Sequence, residues 1–330
     1  MTARRQVLFA LGSGALTAPF ASLAQQQGKV WRIGVLYLMS RQSAINTGRY
    51  VPFVEGMRDL GYIENKNLLI EWRFADGKSE RLPALAAELL KSKVDLIVSA
   101  GTAATSAAHK ATSSVPIVMA NASDPVASGL IKSLPHPGGN VTGLSSITDE
   151  LGPKHLEMLQ SMMPKLSRVA VMTNPDNSSH IATLRTIQNL APRTGIKILP
   201  VRAHTPQEIE VAFSAISRDK AEAVIVASDS FFIQQRRETA ELCAKYRLAS
   251  ISARREYAES GFLMSYGQNS AENYQRAAIY VDKIFKGARP ADLPVEQPTK
   301  FELFINAKTA QALGVKIPDA LLISADKVIE

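Results

Sequence analysis

The chain has 330 residues, of which 46% are hydrophobic and 21% charged, with a formal charge of +8 and one cysteine. At about 100 to 200 residues per domain, that length suits two domains with ample buried core; the composition excludes a disordered, collagen-like or disulfide-stapled chain. Basic residues alternate with acidic ones (KNLLIEWR, RDKAEA, QRRETAELCAK) without a block of about five or six like charges, which reads as a solvated surface and argues against nucleic-acid binding.

The first 24 residues stand apart. Arg4 and Arg5 precede the mildly apolar VLFALGSGALTAPFA, and the small residues Ser22 and Ala24 stand just before Gln25. A basic start, a short apolar stretch and small residues at a cleavage point make a secretory signal, too short and glycine-interrupted for a membrane span. ARRQVLFAL also resembles the twin-arginine export signal. A periplasmic protein maturing near Gln25 is expected, with no cysteine there to carry a lipid anchor. Cys243, at helical spacing from Ala240 and Tyr246, reads as a buried small hydrophobe.

From Val30 onward, short apolar runs alternate with helix-period segments. VWRIGVLYL, NLLIEWRF, DLIVSA, PIVMA and NVTGLSS read as strands. Between them fall helical faces on Tyr50, Phe53, Val54, Met57 and Leu60, on Leu82, Leu85, Ala86, Leu89 and Leu90, and on Ala104, Ala107, Ala108 and Ala111. A short helix is expected after Asp124-Pro125. The pattern then restarts: a helix on His155, Leu156, Leu159 and Met162, strand RVAVMTN, helix 178–192, strand IKILPV, helix 206–218, strand AEAVIVAS, helix 230–246, and strands SIS and GFLMSY. Strands separated by helices imply βαβ units and parallel sheets covered on both faces. The fold class expected is α/β, two doubly wound parallel-sheet lobes. A helix on Tyr274, Ala277, Ala278, Val281 and Phe285 leads into the stiff, proline-rich GARPADLPVEQP, a crossing between lobes, and then into strand KFELFIN.

The histidines at 109, 136, 155, 180 and 204 lack metal-ligand spacing, and there is no CxxC, HExxH, GxSxG, GxxxxGK[ST] or strand-following GxGxxG. No enzyme, metal or cofactor is expected. Strand tips opening into small polar residues are better represented, and in open α/β sheets ligands lie beyond the carboxyl ends of the strands. At Ser99-Ala100-Gly101-Thr102 a glycine turn enters a helix, whose free amides would favour a carboxylate; equally, Thr102 reads as a plain N-cap. Asp124 before Pro125 is a cap or a ligand group. TNPDNSSH offers Asn174 at a strand tip and Ser178 or Ser179 at a helix start; ASDSFF offers Asp229, a cap or a carboxylate for a cationic group. Phe231 and Phe232 cannot both face a core, so one is expected to wall a site or pack between lobes.

Together, GTAATSAAHKATSSVPIVMANASDPVASGLIKSLPHPGGNVTGLSS, RVAVMTNPDN and PADLPVEQPTKFELFINAKTAQALGVKIPDALLISADKVIE resemble the ABC-transporter substrate-binding proteins of the tryptophan/tyrosine type, over nearly all of the chain from Val30 to Glu330. The resemblance implies a type I periplasmic-binding-protein fold, two lobes joined by a three-crossing hinge near residues 144–148, 266–270 and 298–303. The N-terminal lobe would comprise 25–146 and 268–300, and the C-terminal lobe 147–267 and 301–330. It further implies that Gly101, Thr102 and Ala103 receive the ligand carboxylate, where the residues themselves offer the Ser99 and Thr102 hydroxyls as extra donors. Ser123 and Asp124 would border the cleft. Asn174, Ser178, Asp229 and Ser230 would close from the second lobe, Asp229 facing an amino group. The implied partners are a small-molecule ligand, an amino acid or organic acid, and an inner-membrane ABC permease, served by a monomer; the alternative is a periplasmic sensor for a membrane kinase or chemoreceptor. Ser230 stands where the family often has Asn, and LMSRQSAIN gives no aromatic stacking partner beyond Tyr37. The family's ligand names therefore do not transfer, and a small amino acid or other carboxylate remains open.

Overall fold

The computed structural model describes residues 29–330; the export-signal segment lies outside the described residues. The first half runs β1 (Trp31–Tyr37), α1 (Arg41–Asn46), α2 (Tyr50–Asp59), β2 (Leu68–Phe74), α3 (Leu82–Lys91), β3 (Leu96–Ala100), α4 (Thr102–Ala111), β4 (Ile117–Ser123) and β5 (Val141–Ser146). The second runs α5 (Thr148–Met162), β6 (Arg168–Thr173), α6 (His180–Thr194), β7 (Lys197–Arg202), α7 (Pro206–Arg218), β8 (Ala223–Val226), α8 (Ser230–Gln234), α9 (Arg236–Lys245), β9 (Ala249–Ser252), α10 (Arg255–Glu259) and β10 (Met264–Gln268). Then come α11 (Ser270–Phe285), β11 (Phe301–Asn306), α12 (Ala307–Leu313), α13 (Asp319–Ser324) and β12 (Lys327–Ile329).

These strands form two sheets. The first is five-stranded and parallel in the order β2-β1-β3-β4-β5. The second is seven-stranded, and β7-β6-β8-β9-β10 repeats the same order before β11 joins antiparallel and β12 follows. Both therefore have a doubly wound topology with a switch point, β1/β3 in one lobe and β6/β8 in the other. Burial follows from position. Central β3, β8 and β9 are buried at every residue, as a sheet covered on both faces requires, while edge strand β7 is mostly accessible and tolerates Pro200. After β10 the chain returns to the first lobe as α11, which packs on α2, β4 and β5. Gly56 permits that approach, because a Cβ there would lie 3.0 Å from both Ala278 Cβ and the Gln275 carbonyl. The chain leaves again after Glu296, which bridges to Leu144 beside β5.

Local chemistry sets several boundaries. Thr205 caps α7 by accepting from the Glu208 amide at 3.3 Å, Glu208 accepts from the His204 amide at 2.9 Å, and Pro206 stands at the first turn. Three expectations are corrected. The segment after Asp124-Pro125 is a run of turns, because Asp124 sits at φ +36 and its Oδ1 accepts from the Ala127 amide, closing the chain on itself. The helix expected over 230–246 is two, α8 and α9, meeting at Gln235. Phe231 and Phe232 are both buried, since short α8 is enclosed on two sides. The tail after β11 also carries two helices and a strand that periodicity did not reveal. Cys243 is buried, and burial pushes its thiol up to about 12, so it is not a nucleophile at neutral pH.

His155 on α5 is buried, with Nε2 2.7 Å from the Tyr266 carbonyl of β10, and burial lowers its pKa from 6.5 to about 4. The folded state thus favours the neutral ring, and the unfolded state takes up the proton first. Its contribution to stability is complete above about pH 6.5 and falls away toward pH 4, by up to about 3 kcal/mol. Urea denaturation near pH 7 and pH 4.5 should show a steeper acid loss for the native protein than for His155→Gln; equal losses would remove His155 from the account.

Candidate functional site

The carboxyl ends of the two sheets face each other across a narrow, nearly closed cleft. It is lined from one side by Leu38, Arg49, Gly101, Thr102, Ala103, Asn121, Ser123 and Tyr274, and from the other by Asn177, Ser228, Asp229, Ser230 and Arg254. Leu38 and Gly101 follow β1 and β3, and Asn177 and Asp229 follow β6 and β8, so the two switch points meet. Gly101 has φ +88 and ψ 168, a conformation that L side chains rarely adopt, and a Cβ there would lie 2.8 Å from Ser230 Oγ of the opposite lobe. Further contacts join the lobes: the Ser40 amide donates to Gln234 Oε1 at 3.0 Å, Ser79 Oγ to Asp176 at 2.5 Å, Gln268 Nε2 to Asn121 Oδ1 at 2.5 Å, and Arg254 donates to Ser270 Oγ.

Gly101 is the N-cap of α4, and among the described residues no side chain caps that helix. Thr102 is instead its first residue, and its hydroxyl accepts from the Ser123 amide at 3.0 Å, tying the tip of β3 to that of β4. The first turn of a three-turn helix is thereby presented to the cleft with its positive dipole end. Asp229 is held differently. Its Oδ1 accepts from the Phe231 amide at 2.7 Å, as the cap of α8, and from Asn174 Nδ2 at 3.1 Å; its Oδ2 accepts from Asn177 Nδ2 at 2.8 Å. The Asn174 amide in turn donates to His180 Nδ1, so Nε2 carries the ring proton and donates to the Ser228 carbonyl at 3.1 Å.

Two arginines complete the lining. Arg49, at the start of α2, is 3% exposed, and its Nη1 donates to Thr47 Oγ1 at 2.8 Å and contacts Met39 Sδ at 3.3 Å. Arg254, capping α10, is 4% exposed, and its Nε has no hydrogen-bond partner. Its nearest carboxylate, Glu256, lies at 4.0 Å, too far for a hydrogen bond. Burial, followed by the charge of Arg49, lowers Arg254 to about 10, leaving it cationic at neutral pH. Burial pushes Glu256 up, but Arg254 and Arg49 outweigh it and hold its carboxyl below the usual range.

Of the residues singled out from sequence, the structure brings Gly101, Thr102, Ala103, Ser123, Asp229 and Ser230 together around the cleft. The others stand elsewhere. Ser99 is fully buried and bonded to Thr105 Oγ1 at 2.8 Å, joining β3 to α4. Asp124 is occupied by its own turn. Asn174 supports Asp229 from behind, and exposed Ser178 lies 3.5 Å from Ser128 at the rim, its neighbour Asn177 taking the lining position. Tyr37 lies in the core, stacked among Trp72, Phe74 and Tyr274, and Tyr274 is the aromatic at the cleft. Sequence reasoning missed Arg49 and Arg254. The second was legible as the residue just past strand SIS, but ARREY reads as an ordinary solvated charge cluster.

Facing switch points over a polar cleft give a two-lobed α/β protein built to enclose a small molecule between its lobes. Residues 32–329 match the family described as ABC transporter substrate binding protein, and the chain belongs to that family. It is 25% identical over 276 residues to a tyrosine-binding protein of Clostridioides difficile (strain R20291), covering 84% of this chain and 78% of the relative. A conserved domain protein from Vibrio cholerae superposes with TM-score 0.84 at 25% identity, covering 91% of this chain and 100% of the other. The L-Trp complex of an ABC domain from Streptococcus pneumoniae gives 0.83 at 24% identity, covering 91% and 99%. The ligand-free, open structure of a substrate binding protein with adhesive properties from Clostridium difficile gives 0.63 at 25% identity, covering 91% and 99%.

Gly101→Ala would add strain at φ +88 and a clash with Ser230 that exists only when the lobes meet. We expect about tenfold to a hundredfold weaker ligand binding, from roughly 1–3 kcal/mol of strain. Adding Ser230→Ala should recover part of that loss. Calorimetric titration with whichever carboxylate most raises the melting temperature is the measurement, and unchanged affinity in Gly101→Ala would contradict the closed geometry.

Proposed function

We propose that this protein is the periplasmic ligand-capturing component of an ABC importer, enclosing an amino acid or related small organic carboxylate between its lobes and handing it to an inner-membrane permease. The observation that carries the reading is the α4 N-terminus, uncapped by any described side chain and opening into a cleft closed from the opposite lobe by Asp229 and Ser230. A carboxylate at Gly101, Thr102 and Ala103 would accept from first-turn amides, and groups from both lobes would contact ligand only when closed, which makes closure and binding one equilibrium. The tyrosine and L-Trp named for two relatives support an amino acid or a similar acid as the cargo. Export with cleavage before Gln25 rests on the N-terminal pattern; no helix among the described residues is long and apolar enough to cross a membrane. Lobe boundaries at 146/147 and 300/301 lie between the strands of the two sheets, whereas the third crossing lies just past β10, after Gln268 rather than before it; a monomer suffices because one chain supplies both walls of the cleft.

Thermal-shift screening of residues 25–330 against amino acids, organic acids and sugars tests this. A ligand at about 100 times its Kd stabilises by about 2.7 kcal/mol, so a true ligand should raise the melting temperature by several degrees. A shift with neutral sugars and none with any carboxylate would sink the anion-site reading.

A further inference from the structure

Arg49 and Arg254 come from opposite lobes, line the same cleft and are almost fully buried. Guanidiniums are rarely buried without anionic partners, because desolvation is costly unless the charge is paired. Among the described residues Arg49 makes no ion pair, its Nη1 meeting a hydroxyl and a thioether. Arg254 has an unpartnered Nε and Glu256 only at 4.0 Å. Asp229 answers neither arginine, since its oxygens accept from two asparagines and a backbone amide. Glu256, whose carboxyl both arginines hold below its usual range, offsets one of the two charges, so the closed cleft keeps an excess of positive charge in addition to the positive end of α4.

Resting on the solute-binding reading above, we infer that the ligand is a short dicarboxylate, one carboxylate at the first turn of α4 and the second between Arg49 and Arg254. The second carboxylate converts an interlobe repulsion into a bridge, so it acts as the latch that favours closure. A guanidinium offers several donors in a fixed fork suited to a carboxylate, and such charge-assisted bonds are the strong ones in a dry site. The lining agrees with a short, polar cargo. Only Leu38, Ala103 and Tyr274 present apolar surface, too little to wall an indole or phenol ring on both faces.

Isothermal titration of residues 25–330 with succinate, with succinamate (the same chain with one charge removed), with butyrate and with tyrosine tests the inference. Succinate should bind at least about tenfold tighter than succinamate or butyrate, since a desolvated charge pair discriminates at that level or above. Arg49→Gln and Arg254→Gln should each collapse the succinate-to-succinamate ratio toward one, while Arg254→Lys should keep part of it; melting curves without ligand establish that each variant folds. Tyrosine, butyrate or succinamate binding as tightly as succinate would overturn the dicarboxylate inference and leave the importer reading intact. So would a ratio unchanged in both Gln variants. Binding of sugars without any carboxylate would overturn both readings together, and the wild-type panel decides even where a variant fails to fold.

Discussion

At position 101 the chain leaves β3 with φ +88 and enters α4, and Ser230 Oγ of the opposite lobe stands 2.8 Å from where a β-carbon would be. Only glycine meets both demands, a backbone conformation that L side chains avoid and a surface against which another lobe can close. Much else depends on this. Because no side chain stands there, the first turn of α4 faces the cleft directly and its dipole end reaches whatever the cleft encloses. Thr102, freed from capping, ties β3 to β4 through the Ser123 amide and fixes the floor in place.

The second wall is built on a different principle. The two sheets share one strand order, so the lobes offer equivalent switch points, yet α4 is uncapped while α8 is capped by Asp229. That carboxylate, held by Asn174, Asn177 and the Phe231 amide, is a fixed acceptor whose orientation a ligand cannot readily change. Equivalent topology thus yields opposite polarity at the two helix starts, which gives the cleft a direction. The contacts made by Ser40, Ser79 and Gln268 across the lobes are individually modest, and exposed ones contribute little. A ligand bonded to both walls has to supply the rest of the closing free energy.

Most of the architecture was legible because parallel strands buried on both faces produce unbroken apolar runs, and helix faces here have strong periodicity. Glycine turns at strand tips were legible for the same local reason. What failed was the surroundings of each side chain. Ser99 and Gly101 stand two residues apart on one tip, yet one hydroxyl turns into the β3–α4 seam and the neighbouring backbone into the cleft. Asp124 carried a good capping signature, but a left-handed backbone turned its carboxylate to its own loop. Arg49 and Arg254 escaped notice because an arginine in a mixed-charge segment looks solvated; only the meeting of two lobes, distant in sequence, buries both.

The aromatic residues bear on which ligand the proposed cleft can take. Tyr50 stacks on Trp72 at 4.3 Å, Tyr37 on Phe74 at 5.5 Å and Trp31 on Phe285 at 3.9 Å, so the rings that could sandwich an aromatic cargo are packed against one another in the first lobe. Among the described residues Tyr274 is the aromatic that lines the cleft, and Tyr37 backs it at 6.1 Å. Recruiting a second ring would open the core under β1 and β2, where truncating one aromatic side chain already costs about 3–5 kcal/mol. Apart from Leu38 and Ala103, the remaining lining is mostly hydroxyl, amide, carboxylate and guanidinium, groups that lose water on closure and recover the loss against a polar, charged ligand. Selectivity in this cleft is thus imposed less by the shape of an apolar pocket than by buried charge that must be answered.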